Sequence, residues 1–183
     1  ADEALVAANM DALFDDGHSW VGGNPEGDIT IVEFLDYRCS FCRRAFPEVE
    51  ELVASDDNVR IIVKEFPILG VQSDLASRFA IAAKIVGGDD AYKTAHDALM
   101  AFEGNVSDVS LSRLASELDL DGPAISATME TTEVDDIIAK NFELARALQI
   151  TGTPTFIIGD QVVRGFVPLE GMREIIEEER AES

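Results

Sequence analysis

The sequence predicts an α/β fold made of a β-α-β half and a β-β-α half, separated by a long helical block. Three observations predict it. Ile29-Thr30-Ile31-Val32-Glu33-Phe34-Leu35 and Val59-Arg60-Ile61-Ile62-Val63-Lys64-Glu65 are short apolar runs flanking a helix-forming stretch. Residues 72–149 keep apolar positions at helical spacing. Thr155-Phe156-Ile157-Ile158 and Gln161-Val162-Val163-Arg164 are joined by Gly159-Asp160, the signature of a hairpin, and an amphipathic stretch follows.

Taken in order, residues 3–16 read as a helix through Leu5, Ala8, Ala12 and Leu13. Gly22-Gly23-Asn24-Pro25-Glu26-Gly27-Asp28 is a turn-rich break. Residues 29–36 form a buried strand and residues 40–54 a helix that Pro47 should kink, because proline lacks an amide donor. Residues 59–65 form a second strand, stopped by Pro67. In the helical block, Ala76, Phe79, Ala80 and Ala83 keep one apolar face and Leu111, Leu114, Ala115 and Leu118 another. Gly87-Gly88, Gly104-Asn105 and Asp121-Gly122-Pro123 punctuate the block, and Pro123 suits a first helical position. The last helix, 168–179, is amphipathic through Leu169, Met172, Ile175 and Ile176.

Composition narrows the function classes. The 183 residues fit one domain or one domain with an insertion, and 46% of them are hydrophobic, enough for a substantial core. The formal net charge of −22 argues against nucleic acid and anionic membrane surfaces, both of which need lysine and arginine. No apolar run approaches the roughly 20 residues that span a bilayer. Ala1-Asp2-Glu3-Ala4 lacks the basic and apolar regions of a signal peptide, which fits a cytosolic chain or an exported one read without its signal.

The chemistry centres on Cys39-Ser40-Phe41-Cys42, which holds both cysteines of the chain. Side chains three apart on a helix lie roughly 5–6 Å apart at Cβ, and a disulfide needs Cα atoms about 4.4–6.8 Å apart. The pair can therefore open and close with little backbone movement. A structural zinc site normally needs a second pair of ligands, and His18 and His96 lie far from the cysteines in sequence. A purely structural disulfide closing so short a loop removes little unfolded-state entropy. At a helix N-terminus, unpaired amides and the dipole stabilise the thiolate of Cys39, while Cys42 sits one turn further in. Cys39 is thus the attacking thiol and Cys42 the resolving one. Glu33 shares strand parity with Ile29, Ile31 and Leu35, and a carboxylate buried on that face is suited to exchanging a proton with Cys42. Lys64 ends an apolar strand, where it pairs with Glu33 and joins Cys39, Cys42 and Glu33 as a catalytic candidate, or snorkels to solvent. Thr153-Pro154 opens a strand; from local sequence a cis bond there is uncommon.

Together, Val32-Glu33-Phe34-Leu35-Asp36-Tyr37-Arg38-Cys39-Ser40-Phe41-Cys42-Arg43-Arg44, Lys64-Glu65-Phe66-Pro67-Ile68-Leu69-Gly70 and Gly152-Thr153-Pro154-Thr155-Phe156 resemble the DsbA-like thioredoxin-fold family. They look most like its bacterial branch often labelled outer-membrane protein, a label for which the sequence shows neither a spanning helix nor a barrel pattern. The resemblance implies a thioredoxin fold formed by residues 19–70 and 150–179, an inserted helical subdomain at 71–149, and an N-terminal helix at 1–16. That helix is a packing element or the remnant of an oligomerisation stalk. The resemblance also implies a cis peptide before Pro154, with Thr153, Pro154, Ser40 and Phe41 contacting substrate, and a buried acid at Glu33.

The implied function is a periplasmic thiol–disulfide oxidoreductase, oxidase and/or isomerase. It needs no cofactor, and its partners are the thiols and disulfides of exported proteins and a redox partner protein. Ser40-Phe41 stands where the best-known member has Pro-His, which implies a less stabilised thiolate and a weaker oxidant. Thr153 resembles the isomerase branch. The competing class is a non-catalytic envelope or metal-handling protein that uses the two thiols as soft ligands.

Overall fold

The computed structural model describes residues 1–183. Two short helices, α1 (Asp2–Ala8) and α2 (Met10–Phe14), precede the strands β1 (Trp20–Gly23) and β2 (Ile29–Leu35). Helix α3 (Ser40–Ser55) leads to β3 (Val59–Glu65). Four helices follow: α4 (Val71–Ala101), α5 (Asp108–Glu117), α6 (Gly122–Thr128) and α7 (Thr132–Ala147). The chain ends with β4 (Thr155–Ile158), β5 (Gln161–Arg164) and α8 (Leu169–Glu182).

The strands form one sheet in the order β1-β3-β2-β4-β5. Only β2 and β3 are parallel; they are joined by α3, the crossover such a pair requires. Their register sets Glu33 beside Val63, Phe34 beside Lys64 and Leu35 beside Glu65. Side chains alternate across the sheet, so its two faces enter two cores. Ile29, Ile31, Leu35, Val59, Ile61, Val63, Phe156 and Ile158 share a core with α3, the inserted helices α4–α6 and α8. Val32, Phe34, Ile62 and Ile157 share the other with Val6 of α1, Leu13 of α2, Leu144 of α7 and Leu148, the residue that caps α7.

The expected helix over 3–16 is two helices. Asn9 leaves helical backbone and returns its side-chain amide to the Leu5 carbonyl at 2.8 Å, which separates α1 from α2. Val6 and Leu13 are buried against the sheet, so this segment packs on the domain. The stretch read as a break from Gly22 contains the second half of β1, which pairs antiparallel with β3. Half of β1 is glycine, which hides it from a strand pattern. Gly22 is required there because the Trp20 ring folds over it, and a Cβ would sit 2.1 Å from that ring. The punctuation at Gly87-Gly88 is real: Gly88 has φ +84 and breaks α4. Pro47 is accommodated inside α3.

Lys64 corrects an expectation. It belongs to the alternate set of β3 and points away from Glu33, into the core under α1 and α2. Its ammonium, fully buried, donates to the Ala12 carbonyl at 2.8 Å and to the Asp16 carboxylate. Burial alone raises the Asp16 carboxyl, but hydrogen bonds from Lys64 and Ser19 outweigh it and hold it down at about 2. Removing one member of a buried pair strands the other charge, at a cost of about 3 kcal/mol. Lys64→Met should therefore lower the thermal midpoint by roughly 6–12 °C in a chain of this size. An unchanged midpoint would show that the pair does not anchor the N-terminal segment.

Candidate active site

Cys39 is the N-cap of α3, and both cysteines are free thiols. The Cys42 amide donates to Cys39 Sγ at 3.4 Å, so the sulfur itself caps the helix. Cys39 Sγ also reaches the Thr153 carbonyl at 3.4 Å, across 114 residues of chain. The Thr153–Pro154 peptide is cis, and Pro154 is buried. The loop before β4 thus lies directly against the Cys39 sulfur. Ser40 and Phe41 are exposed at the start of α3, Phe41 by 53%. Cys42 is fully buried, and burial holds its thiol well above the ordinary range.

Glu33 lies on the same face of the sheet as this core and is 3% exposed. Its Oε2 has no hydrogen-bond partner. Burial, reinforced by the nearby Glu65 and Glu50 carboxylates, pushes it up to about 8. Its charge also opposes ionisation of Cys42. The structure therefore brings Cys39, Cys42, Glu33, Ser40, Phe41, Thr153 and Pro154 to one region and leaves Lys64 on the other side of the sheet.

Several residues of this region escape local sequence reasoning. Asp36, fully buried, accepts from the amides of Arg38, Ile68 and Leu69 at 2.8, 2.8 and 3.0 Å and from the Ser73 hydroxyl at 2.7 Å. It ties the loop before Cys39 to the loop after β3 and to α4. Glu65 accepts from Tyr37, Tyr92 and Ser77 at 2.7, 2.5 and 2.7 Å. Burial raises its carboxyl to about 7, with those three donors offsetting part of the effect. The Tyr37 hydroxyl also meets His96 Nδ1 at 2.9 Å. Its one proton goes to Glu65, so His96 donates from Nδ1 as a neutral imidazole, consistent with a burial-lowered value of about 3. Tyr92 stacks between Trp20 and His96, at centroid distances of 5.6 and 5.7 Å. The available signal was parity: Glu65 alternates with Lys64 and shares the face of Val59, Ile61 and Val63.

Two buried carboxyls with raised values make stability depend on pH in a defined direction. In the unfolded chain each releases its proton near 4.5; in the folded chain each keeps it until about 7 or 8. Between those points the folded state binds more protons, so the stability they supply is full below about pH 4.5 and is lost as pH rises through 7 and 8. Urea unfolding at pH 5 and pH 8 should show this loss. Glu33→Gln should reduce the difference by the contribution of one proton. Equal slopes for the variant and the parent would mean that Glu33 titrates normally.

The comparisons with known proteins agree with this geometry. The model of the DSBA-like thioredoxin domain matches residues 30–177. The solved structure of a thioredoxin-like oxidoreductase from Silicibacter pomeroyi superposes with a TM-score of 0.88 at 42% identity, covering 96% of this chain and 99% of that one. Disulfide bond formation protein D of Bacillus subtilis is 24% identical over 169 residues, 86% of this chain and 75% of its own length. A Na(+)/H(+) antiporter of Salinispora arenicola is 30% identical over 152 residues, 83% of this chain but 23% of the antiporter. The chain thus spans about a quarter of the length of the antiporters it matches. The fold is a thioredoxin fold with helices inserted between its halves. The family match runs from β2 through most of α8 and takes in both cysteines, and on that footing the chain belongs to the DSBA-like thioredoxin domain family.

Proposed function

We propose that this chain is a thiol–disulfide oxidoreductase that exchanges disulfides with cysteines of exported proteins in the periplasm, and that Cys39 and Cys42 are its redox pair. The observation that carries the reading is the setting of Cys39. Its sulfur caps α3, receives the Cys42 amide and lies against the Thr153 carbonyl. A substrate strand laid along the loop at Thr153 and Pro154 meets the sulfur directly. Oxidising chemistry of this kind is sustained in the cell envelope. Ion transport is not carried over from the antiporters, because the match covers only 23% of the antiporter's length.

In the oxidising direction, a substrate thiolate attacks Cys39 Sγ of the Cys39–Cys42 disulfide. A mixed disulfide forms and Cys42 leaves as a thiolate. Buried, that sulfur needs a proton, and the Glu33 carboxylic acid on the same face supplies it. A second substrate thiolate then attacks the substrate sulfur of the mixed disulfide and releases Cys39. The substrate is oxidised to a disulfide and the protein reduced to its dithiol. Run backwards, the same steps reduce or reshuffle a substrate disulfide, with Glu33 taking the proton of Cys42 as it attacks. Ser40-Phe41 and Thr153 favour a mild oxidant that also isomerises, with a potential more reducing than the about −120 mV of the strongest oxidants. In this reading residues 19–70 and 150–179 are the catalytic domain, 71–149 an inserted subdomain and 1–16 a packing segment. Lys64 anchors that segment and takes no part in exchange.

Cys39→Ser should abolish both insulin reduction and oxidation of a reduced model substrate. Cys42→Ser should accumulate a mixed disulfide at Cys39, detectable by mass spectrometry. Glu33→Gln should slow release of that intermediate at neutral pH by roughly 10²-fold, the lower range for a positioned acid or base. Exchange that survives Cys39→Ser would rule the mechanism out.

A further inference from the structure

The surroundings of Cys39 carry a charge opposite to that of the whole protein. Arg38, Arg43 and Arg44 lie within five residues of it, in a chain with 36 acidic and 14 basic residues. Of the seven other arginines, Arg78, Arg164, Arg173 and Arg180 each hold a carboxylate at 3.1 Å or less, and Arg60, Arg113 and Arg146, scattered over other elements, form no ion pair. Arg38, Arg43 and Arg44 form no such pair. Arg43 spends its donors on backbone, the Tyr37 carbonyl at 2.7 Å and the Phe102 carbonyl at 2.5 Å, with Glu103 nearby but not bonded. Arg38 lies beside Arg43, and one of its terminal nitrogens is buried with no acceptor. The nearest carboxylate in sequence, Asp36, is consumed by three amides and a hydroxyl. Arg44 is exposed and lies over the Phe166 ring, 5.6 Å from its centroid. Phe166 follows Gly165, whose amide donates to the Pro154 carbonyl at 2.9 Å. Arg44 therefore borders the Pro154 side of the site and Arg38 the side of α4.

We infer that the substrates taken at Cys39 are acidic polypeptide segments, with Asp or Glu within a few residues of the reacting cysteine, recognised by Arg38 and Arg44 on either side. The inference rests on the exchange reaction proposed above and adds its substrate class. A guanidinium presents a planar fork of donors that matches a carboxylate, and Arg38 is partly exposed and Arg44 exposed, so each offers donors to one. The net charge of −22 acts in the opposite sense and repels acidic partners at a distance. At 0.15 M salt the screening length is about 8 Å, so charges beyond the immediate rim count little and the arginines set the preference.

Three model peptides test it, each with one internal disulfide and Asp/Glu, Ser or Lys residues beside the cysteines. Their rates of reduction by the dithiol protein are compared at 0.15 M salt. The acidic peptide should react about fivefold faster than the lysine peptide, the effect of two partly exposed ion pairs. Arg38→Ala/Arg44→Ala should erase or invert that ratio, while Arg38→Lys/Arg44→Lys should keep most of it. Arg43 is left in place because it caps α4. Ratios within one protein are insensitive to changes in the reactivity of Cys39 itself. A parent protein that prefers the lysine peptide, or a ratio unmoved by the alanine substitutions, overturns the inference and leaves the exchange reaction standing. Absence of exchange with all three peptides overturns both.

Discussion

The parallel pairing of β2 with β3 is the constraint on which the rest depends. Its register puts Glu33 diagonal to Glu65 on one face of the sheet and Phe34 beside Lys64 on the other. A shift of one residue would reverse every side chain of a strand between the faces. A slip of β3 would bring the Lys64 ammonium under α3, and a slip of β2 would push Glu33 toward the N-terminal helices. Helix α3 is the crossover that makes the pair parallel, so the element that sets the register also carries Cys39 at its first turn. The site and the sheet therefore share one geometric origin.

Much of this was legible in the sequence because it is local. Strand runs at 29–35 and 59–65, the helix behind the cysteines and the closing hairpin all declare themselves by period and punctuation. The Cys39/Cys42 spacing and the parity of Glu33 likewise need no tertiary information. What was hidden depends on partners far away in the chain. β1 exists because β3 offers an unpaired edge and Trp20 packs onto Tyr92, and two glycines conceal it. Asp36 and Tyr37 look like ordinary loop residues until the loop after β3 and the helix α4 close on them. The pairing of Lys64 with Glu33 failed because only the register with β2 shows that the two side chains leave the sheet on opposite faces.

The two faces solve the problem of buried charge in different ways. Lys64 and Asp16 are paired and hydrogen-bonded, the arrangement that makes a buried ion pair tolerable. Glu65 is surrounded by donors, and its network binds the inserted helix α4 to the loop that precedes Cys39. Glu33 has an oxygen without a partner. A carboxyl left in that state stores a proton more readily than it supports structure, and it does so beside the thiol that burial makes hardest to ionise. Around this interior the chain is strongly acidic, with 36 acidic and 14 basic residues, and three of its arginines cluster within five residues of Cys39.

The central claim is that Glu33 is a proton store serving Cys42, and the direct measurement is a titration of the Glu33 side-chain carboxyl carbon by NMR in the dithiol protein. A midpoint near 8 is the predicted result. A midpoint near the ordinary 4.5 would mean that Glu33 is already ionised at neutral pH and has no proton to give, contradicting the account.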